Sequence, residues 1–273
     1  MKNILDRFSL QGRVAFVTGG AGLLGAGFSR TLASAGAAVA IGDRELACAR
    51  GLADEINRDG GRAMALAMDV TDQESTRAAM AAAYQAFGSL DVLVCSAAID
   101  PKFDPHLGQE NRDSFEEYPL NAWQQALDVN LTGAFLSART AAPYMLEGGR
   151  GVIVLIGSIY GLVGPDQRLY DRADGPRQYK PPYYSVTKAG LLGLTRYLAA
   201  YYAGKNIRVN ALSPGGVFNG HDDAFTQAYS RRAMLARMAD KEEMDAAMLF
   251  LSSDASSYMT GANLVVDGGW TAW

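Results

Sequence analysis

Tyr184 and Lys188 stand four residues apart in an apolar stretch of helical character, so their side chains share one helix face. A phenol with its ordinary pKa of about 10 is a poor base at neutral pH. A neighbouring ammonium stabilises the phenolate, which makes the pair a candidate acid/base couple. Ser158 follows the apolar run Val152–Ile156, where a hydroxyl can hold a substrate oxygen against Tyr184. Asn130, in Asp128-Val129-Asn130-Leu131, is a polar residue inside an otherwise apolar helical stretch. Taken singly, each has an ordinary explanation, since Tyr-x3-Lys recurs by chance and a buried asparagine is commonly just hydrogen-bonded. The signal is their conjunction after the right strands.

A second set of residues suits a phosphate. Thr18-Gly19-Gly20-Ala21-Gly22-Leu23-Leu24-Gly25 ends the first apolar run and enters a helix. Glycines there allow a tight turn and a close backbone approach, while free N–H groups and the helix dipole favour a pyrophosphate. Asp43 ends the second strand, 18 residues after Gly25. A carboxylate at that place accepts hydrogen bonds from both ribose hydroxyls and repels a 2′-phosphate, which favours NAD over NADP. Two features pull the other way. Asp43 also suits an N-cap for the helix that follows, and the adjacent Arg44 guanidinium tolerates a phosphate.

These groups need a frame. Val14–Thr18, Ala38–Gly42, Ala63–Met68, Val92–Cys95, Val152–Ile156, Arg208–Leu212 and Leu264–Val266 are expected strands, mostly apolar on consecutive residues. Helices are expected near 23–35, 45–58, 73–87, 122–147, 184–203 and 241–252. The alternation predicts an α/β, doubly wound Rossmann fold with a single, mostly seven-stranded parallel sheet, one domain over 1–273. Two polar segments exceed ordinary connections: Asp100 to Leu120 and Gly161 to Pro182. Both leave from strand ends, so lid loops are expected at about 100–120 and 161–182. On them His106, Asp166, Arg168, Arg177 and Lys180 offer hydrogen bonds to hydroxyls or carboxylates. The methionine-rich stretch Met234 to Met248 reads as core or as a flexible lid.

With 49% hydrophobic residues in 273, a sizeable core can form, and a net charge of −4 leaves no footprint for nucleic acid or an anionic membrane. Cys48 and Cys95 are read as reduced thiols. Met1 to Gln11 lacks an apolar signal core, and Ala189 to Ala203 is broken by Arg196. A soluble, cytoplasmic protein is expected. His106 and His221 lack companions at ligand spacing, so no metal site is expected. Trp270 and Trp273 read either as lining a neighbouring subunit's site or as packing an interface.

Over residues 10 to 270 the chain resembles the short-chain dehydrogenase/reductase family. The resemblance rests on the glycine turn, Asp69-Val70, Asn130, Ser158, Tyr184-Ser-Val-Thr-Lys188, Arg208-Val-Asn-Ala-Leu-Ser-Pro214-Gly215, and the tail from Thr260-Gly261 through Val266-Asp267-Gly268-Gly269-Trp270. It implies a catalytic tetrad of Ser158, Tyr184, Lys188 and Asn130, with Tyr184 transferring the proton and Asn130 placing a water in the relay. It implies that Lys188 binds the nicotinamide ribose, that Asp69 contacts adenine, and that Pro214, Gly215 and Val217 meet the carboxamide. Gly19, Gly22, Leu24, Gly25, Asp43, Arg44, Val70 and Ala97 complete the implied cofactor set, with Tyr160, His106 and Arg168 towards the substrate. A dimer or tetramer is implied, the homotetramer foremost, with a small-molecule substrate. Four features differ from the family pattern. The glycine spacing at 19, 22 and 25 is one, Cys95-Ser96-Ala97-Ala98 after the fourth strand is another, and Asn219 stands where a threonine is usual. The wide interval from Ser158 to Tyr184 is the fourth. That insertion, with Ser158-Ile-Tyr160-Gly and Gly215-Gly216-Val217-Phe218-Asn219-Gly220, is similar to oxidoreductases of bacterial surface-sugar and flagellin-glycan pathways. The expected activity is NAD-dependent interconversion of a secondary alcohol and a ketone on a sugar, polyol or sugar-derived substrate. Acyl or steroid-like substrates, a dinucleotide-sensing role without catalysis, and an epimerase stay open.

Overall fold

Strands that are apolar on consecutive residues need cover on both faces, and here they receive it. The computed structural model describes residues 3–100, 114–171 and 178–273. β1 (Val14–Thr18), β2 (Ala38–Asp43), β3 (Arg62–Ala67), β4 (Val92–Cys95), β5 (Gly151–Ile156), β6 (Ile207–Pro214) and β7 (Asn263–Val266) form one sheet in the order β3-β2-β1-β4-β5-β6-β7. Every pairing is parallel. The strand ends differ from the sequence expectation by one or two residues, because backbone pairing continues past the last apolar side chain.

Helices α1 (Leu23–Ser34), α2 (Leu46–Arg58) and α8 (Asp245–Ser252) cover one face. There Phe28, Leu32, Leu52, Ile56, Met248 and Leu251 pack on Val17, Val39, Val94 and Val154. On the other face α3 (Gln73–Phe87), α5 (Gly133–Glu147) and α6 (Pro182–Tyr201) bring Met80, Ala138, Met145 and Leu191 against Phe16, Leu93, Ile153 and Val209. Successive strand residues therefore serve opposite cores, and each large side chain so buried contributes about 1.5–3 kcal/mol. A third cluster sits beyond the C-terminal ends of β5 and β6. It joins Tyr160, Tyr170, Phe225, Tyr229, Met238 and Trp270.

Several elements depart from the expectation. The single helix expected at 122–147 is α4 (Leu120–Leu127) and α5, separated by a π-helical turn at Asp128–Thr132. Its wider hydrogen-bonding leaves the apolar period almost unchanged, so the periodicity hides it. The 241–252 helix opens as a 3-10 turn, Lys241–Met244, before α8. Helix α7 (Asp223–Ser230) was not expected; Asp222 caps it by accepting from the Phe225 N–H at 2.8 Å. The 161–182 segment is not simply a polar loop, because its 3-10 turn Gln167–Tyr170 buries Leu169 and Tyr170 in the third cluster. Met238, Met244 and Met248 are core, whereas Met234 is exposed. His106, Arg177 and most of the 100–120 segment lie outside the described residues. Among the described residues no helix is long and apolar enough to cross a membrane.

Candidate active site

The chain builds β1, β2 and β3 outward on one side and then returns to place β4 on the other side of β1. Loops leaving β1 and β4 therefore diverge, opening a crevice at their C-terminal ends. The Gly19 turn forms its floor. Gly19 has φ +60°, and a Cβ there would stand 2.6 Å from the Ala97 backbone beyond β4. A Cβ at Gly25 would collide with the Gly19 carbonyl oxygen. The turn is thus closed by backbone against backbone, which no other residue permits. Helix α1 begins at Gly22 with no side-chain cap, so its first-turn N–H groups are left to an anion in the cleft. Thr18 steadies the facing loop, its hydroxyl accepting from the Ser96 N–H at 3.2 Å.

Asp43 stands where β2 ends. Its carboxylate accepts from the Ala21 N–H and from the Glu45 N–H, each at 3.0 Å. The helix cap is not realised, since α2 has Glu45 as its N-cap and no side-chain cap bond; the carboxylate instead ties the glycine turn to the turn before α2. Arg44 is 73% exposed and lies 4.0 Å from Glu45. The Asp69 carboxyl accepts from the Thr71 hydroxyl and N–H, which hold it below the usual carboxylate range. An uncapped helix end, a glycine cradle and a strand-end carboxylate in one crevice fit a dinucleotide.

At the other end of the crevice, Pro182 opens α6 with a preset φ, putting Tyr184 in the first turn and Lys188 one turn on. Ser158, just past β5, lines the cleft with Tyr184, where its hydroxyl favours the phenolate, and it accepts from the Tyr160 N–H at 3.1 Å. Lys188 is buried and donates to the Ile156 carbonyl at 2.8 Å, with its ammonium 5.7 Å from the Tyr184 ring centre. The expected lowering of the phenol by Lys188 is not what this geometry gives. Burial, reinforced by the Asp100 charge, raises the phenol well above 10 and outweighs the Ser158 hydrogen bond. Burial likewise pulls the Lys188 ammonium down to about 8. Desolvation wins because Lys188 is buried and Tyr184 is packed partly under the third cluster.

Asn130 does not line the crevice. It is buried in the π turn, where its Oδ1 accepts from the Ile99 N–H at 2.7 Å and its Nδ2 donates to the Ile99 carbonyl at 3.1 Å. It thereby pins the loop that leaves β4.

One cleft of about 670 Å³ joins the two ends. Gly19, Gly22, Leu24, Gly25, Asp43, Arg44, Asp69, Val70, Ala97, Pro214, Gly215 and Val217 all line it, with Ser158, Tyr160, Tyr184 and Lys188. Arg168 does not reach it. Its side chain is 76% exposed and pairs with Asp166 at 2.8 Å, while Asp166 also pairs with Arg232. Sequence reasoning missed Asp100, Tyr170, Phe225 and Tyr229 in the lining. Tyr170 meets the Tyr160 hydroxyl at 3.3 Å, and Tyr229 stacks on Trp270 with centres 6.0 Å apart. The concentration of aromatics in the 160–184 and 225–229 segments was the available signal.

Residues 20–271 match the sequence model of a family described as enoyl-(acyl carrier protein) reductase. The chain is 40% identical over 269 residues to cis-4-hydroxycyclohexanecarboxylate dehydrogenase of Sinomonas cyclohexanicum, covering 95% of this chain and 97% of that protein. It is 35% identical to D-threitol dehydrogenase of Mycolicibacterium smegmatis, covering 97% and 95%. Among solved structures, a gluconate 5-dehydrogenase from Burkholderia cenocepacia in complex with NADP and tartrate superposes with a TM-score of 0.87. That pair shares 30% identity over 99% of this chain and 100% of the other. The glycine cradle, the Ser158–Tyr184–Lys188 geometry, the sheet order and these similarities agree: the chain belongs to the short-chain dehydrogenase/reductase family.

Proposed function

We propose that this chain is an NAD-preferring dehydrogenase that interconverts a secondary alcohol and a ketone on a polyol, sugar or related ring alcohol. The observation that carries this reading is the phenol of Tyr184, beside Ser158 and Lys188 at one end of a cleft whose other end is the uncapped α1 turn with Asp43. The cofactor supplies a nicotinamide that accepts or returns a hydride. The α1 turn and Gly19 hold its pyrophosphate, Asp43 its adenosine ribose, and Lys188 its nicotinamide ribose. Ser158 holds the substrate oxygen, and Tyr184 takes the proton from the alcohol or gives it to the ketone. The first turn of α6 favours negative charge on the phenol, and the Ile156 carbonyl fixes the Lys188 ammonium at the end of β5. Asn130 keeps the loop after β4 in place. The relatives' substrates, a hydroxycyclohexanecarboxylate, threitol and gluconate, are all secondary alcohols or polyols and support the class.

Arg44 favours a second reading, NADP use, as does the NADP in the gluconate dehydrogenase structure. Titration of both cofactors, coupled to a turnover screen on sugars, polyols and hydroxy acids, separates the two. NAD is expected to bind more tightly by about 1–3 kcal/mol, the scale of a charged hydrogen bond. Equal or tighter NADP binding would assign the ribose pocket to Arg44. We further infer a homodimer or homotetramer, which light scattering on the purified chain tests; a monomer would contradict it.

A further inference from the structure

We propose that Asp100 and Lys180, paired over the ring of Tyr184, clamp a second substrate hydroxyl next to the reacting carbinol, so that the enzyme selects vicinal diols and polyols over simple alcohols. The inference rests on the dehydrogenase reading above and narrows its substrate.

The Lys180 ammonium lies 2.6 Å from the Asp100 carboxylate and 4.0 Å from the centre of the Tyr184 ring. Both residues line the cleft. Lys180 is only 8% exposed, while the Asp100 side chain is 46% exposed. The lysine is held on purpose-built backbone. Its N–H donates to the Gln167 side chain at 2.8 Å, and its carbonyl accepts from the same amide at 3.3 Å. Among the described residues, the second carboxylate oxygen of Asp100 has no hydrogen-bond partner. The ammonium has three protons, of which Asp100 takes one and the ring face attracts the charge. A donor and an acceptor therefore stand side by side over the ring of Tyr184.

The chemistry of the partner follows from that pairing. A hydroxyl donates and accepts, so it can bond Lys180 and Asp100 together. An aliphatic carbon bonds neither and leaves the charged groups without their water. A carboxylate only accepts, and while bonded to Lys180 it faces the charge of Asp100. The ammonium sits 4.0 Å over the centre of the ring that carries the reacting phenol, and both line one cleft, so the second hydroxyl belongs on a carbon adjoining the carbinol.

Three alcohols on one ring test the clamp: cyclohexanol, cyclohexane-1,2-diol and 4-hydroxycyclohexanecarboxylate. Wild-type kcat/KM is expected to favour the diol over cyclohexanol by roughly 10- to 100-fold, the range of a hydrogen bond to a charged group. Lys180→Met should collapse that ratio towards unity. Asp100→Asn should lower it and raise the hydroxy acid relative to the diol, because the opposing charge has gone. Should Lys180→Met fail to fold, the wild-type ratio and Asp100→Asn still decide. Equal wild-type rates on diol and cyclohexanol, a wild-type preference for the hydroxy acid, or ratios unmoved by either substitution would overturn the clamp and leave the dehydrogenase reading standing. No turnover of any alcohol with either cofactor would remove both.

Discussion

Burial governs the two titrating side chains at the centre of the cleft, and its sign is measurable. The folded chain holds Lys188 at about 8, against an ordinary value of 10.5. Below pH 8 both folded and unfolded chains carry that proton, and the full cost of burying the ammonium is present. Between pH 8 and pH 10 the folded chain releases a proton that the unfolded chain keeps, so stability rises with pH on account of Lys188. Above pH 10 Tyr184 acts in the opposite sense, since the folded phenol keeps a proton the unfolded one loses. Lys188→Met should therefore raise Tm by roughly 3–5 °C near neutral pH and flatten the rise between pH 8 and 10. Thermal melts across that range check it; an unchanged slope would mean that Lys188 is not the group titrating. Asp43 makes a second prediction. Asp43→Asn keeps the acceptor facing Glu45 or Ala21 but removes the charge, so NADP affinity should rise relative to NAD by roughly tenfold or more. Isothermal titration reads this, and an unaltered ratio would remove Asp43 from cofactor choice.

The glycine turn and the π turn are where the fold's elements set the site, and they were unequally visible in the sequence. Gly19, Gly22 and Gly25 announced the first because a strand-turn-helix junction demands backbone that only glycine supplies. Gly25→Ala should cost roughly 2–4 kcal/mol in a urea titration and abolish cofactor binding, since its Cβ meets the Gly19 carbonyl with backbone on both sides. Near-normal stability would show that the turn can yield. The π turn at Asp128–Thr132 was not legible, because one extra residue in a helical ladder scarcely shifts an apolar period. Asn130 was singled out, yet its partner was not, since the Ile99 backbone reaches it only through the sheet. Asn130→Ala leaves the part-buried N–H and carbonyl of Ile99 without this partner and should lower stability by about 1 kcal/mol in a urea titration. Helix α7 escaped notice for a different reason. It has eight residues of mixed polarity, and its stability comes from Phe225 and Tyr229 packing on Tyr170 and Trp270, contacts remote in sequence.

Across the molecule, the single parallel sheet was readable because apolar strands alternate with helices, whereas the order of its strands came only with the structure. The active-site wall was not. It is assembled from the Gln167–Tyr170 turn, α7 and the C-terminal Trp270, three segments that meet only after the sheet has formed. The same assembly explains why Arg168 was misjudged: its neighbours Leu169 and Tyr170 turn inward, and the charge is left to pair with Asp166 at the surface. What the whole fold delivers is one crevice with an uncapped helix end, a strand-end carboxylate and a partly buried phenol along its wall. Turnover by Tyr184→Phe, followed as reduction of NAD with a polyol substrate beside the wild type, probes that arrangement at its reacting atom. The substitution keeps ring and packing and removes only the oxygen that exchanges a proton. A folded protein with normal cofactor affinity and kcat lower by about 10²–10⁴ is expected. A Tyr184→Phe enzyme that turns over at nearly the wild-type rate would contradict the assignment.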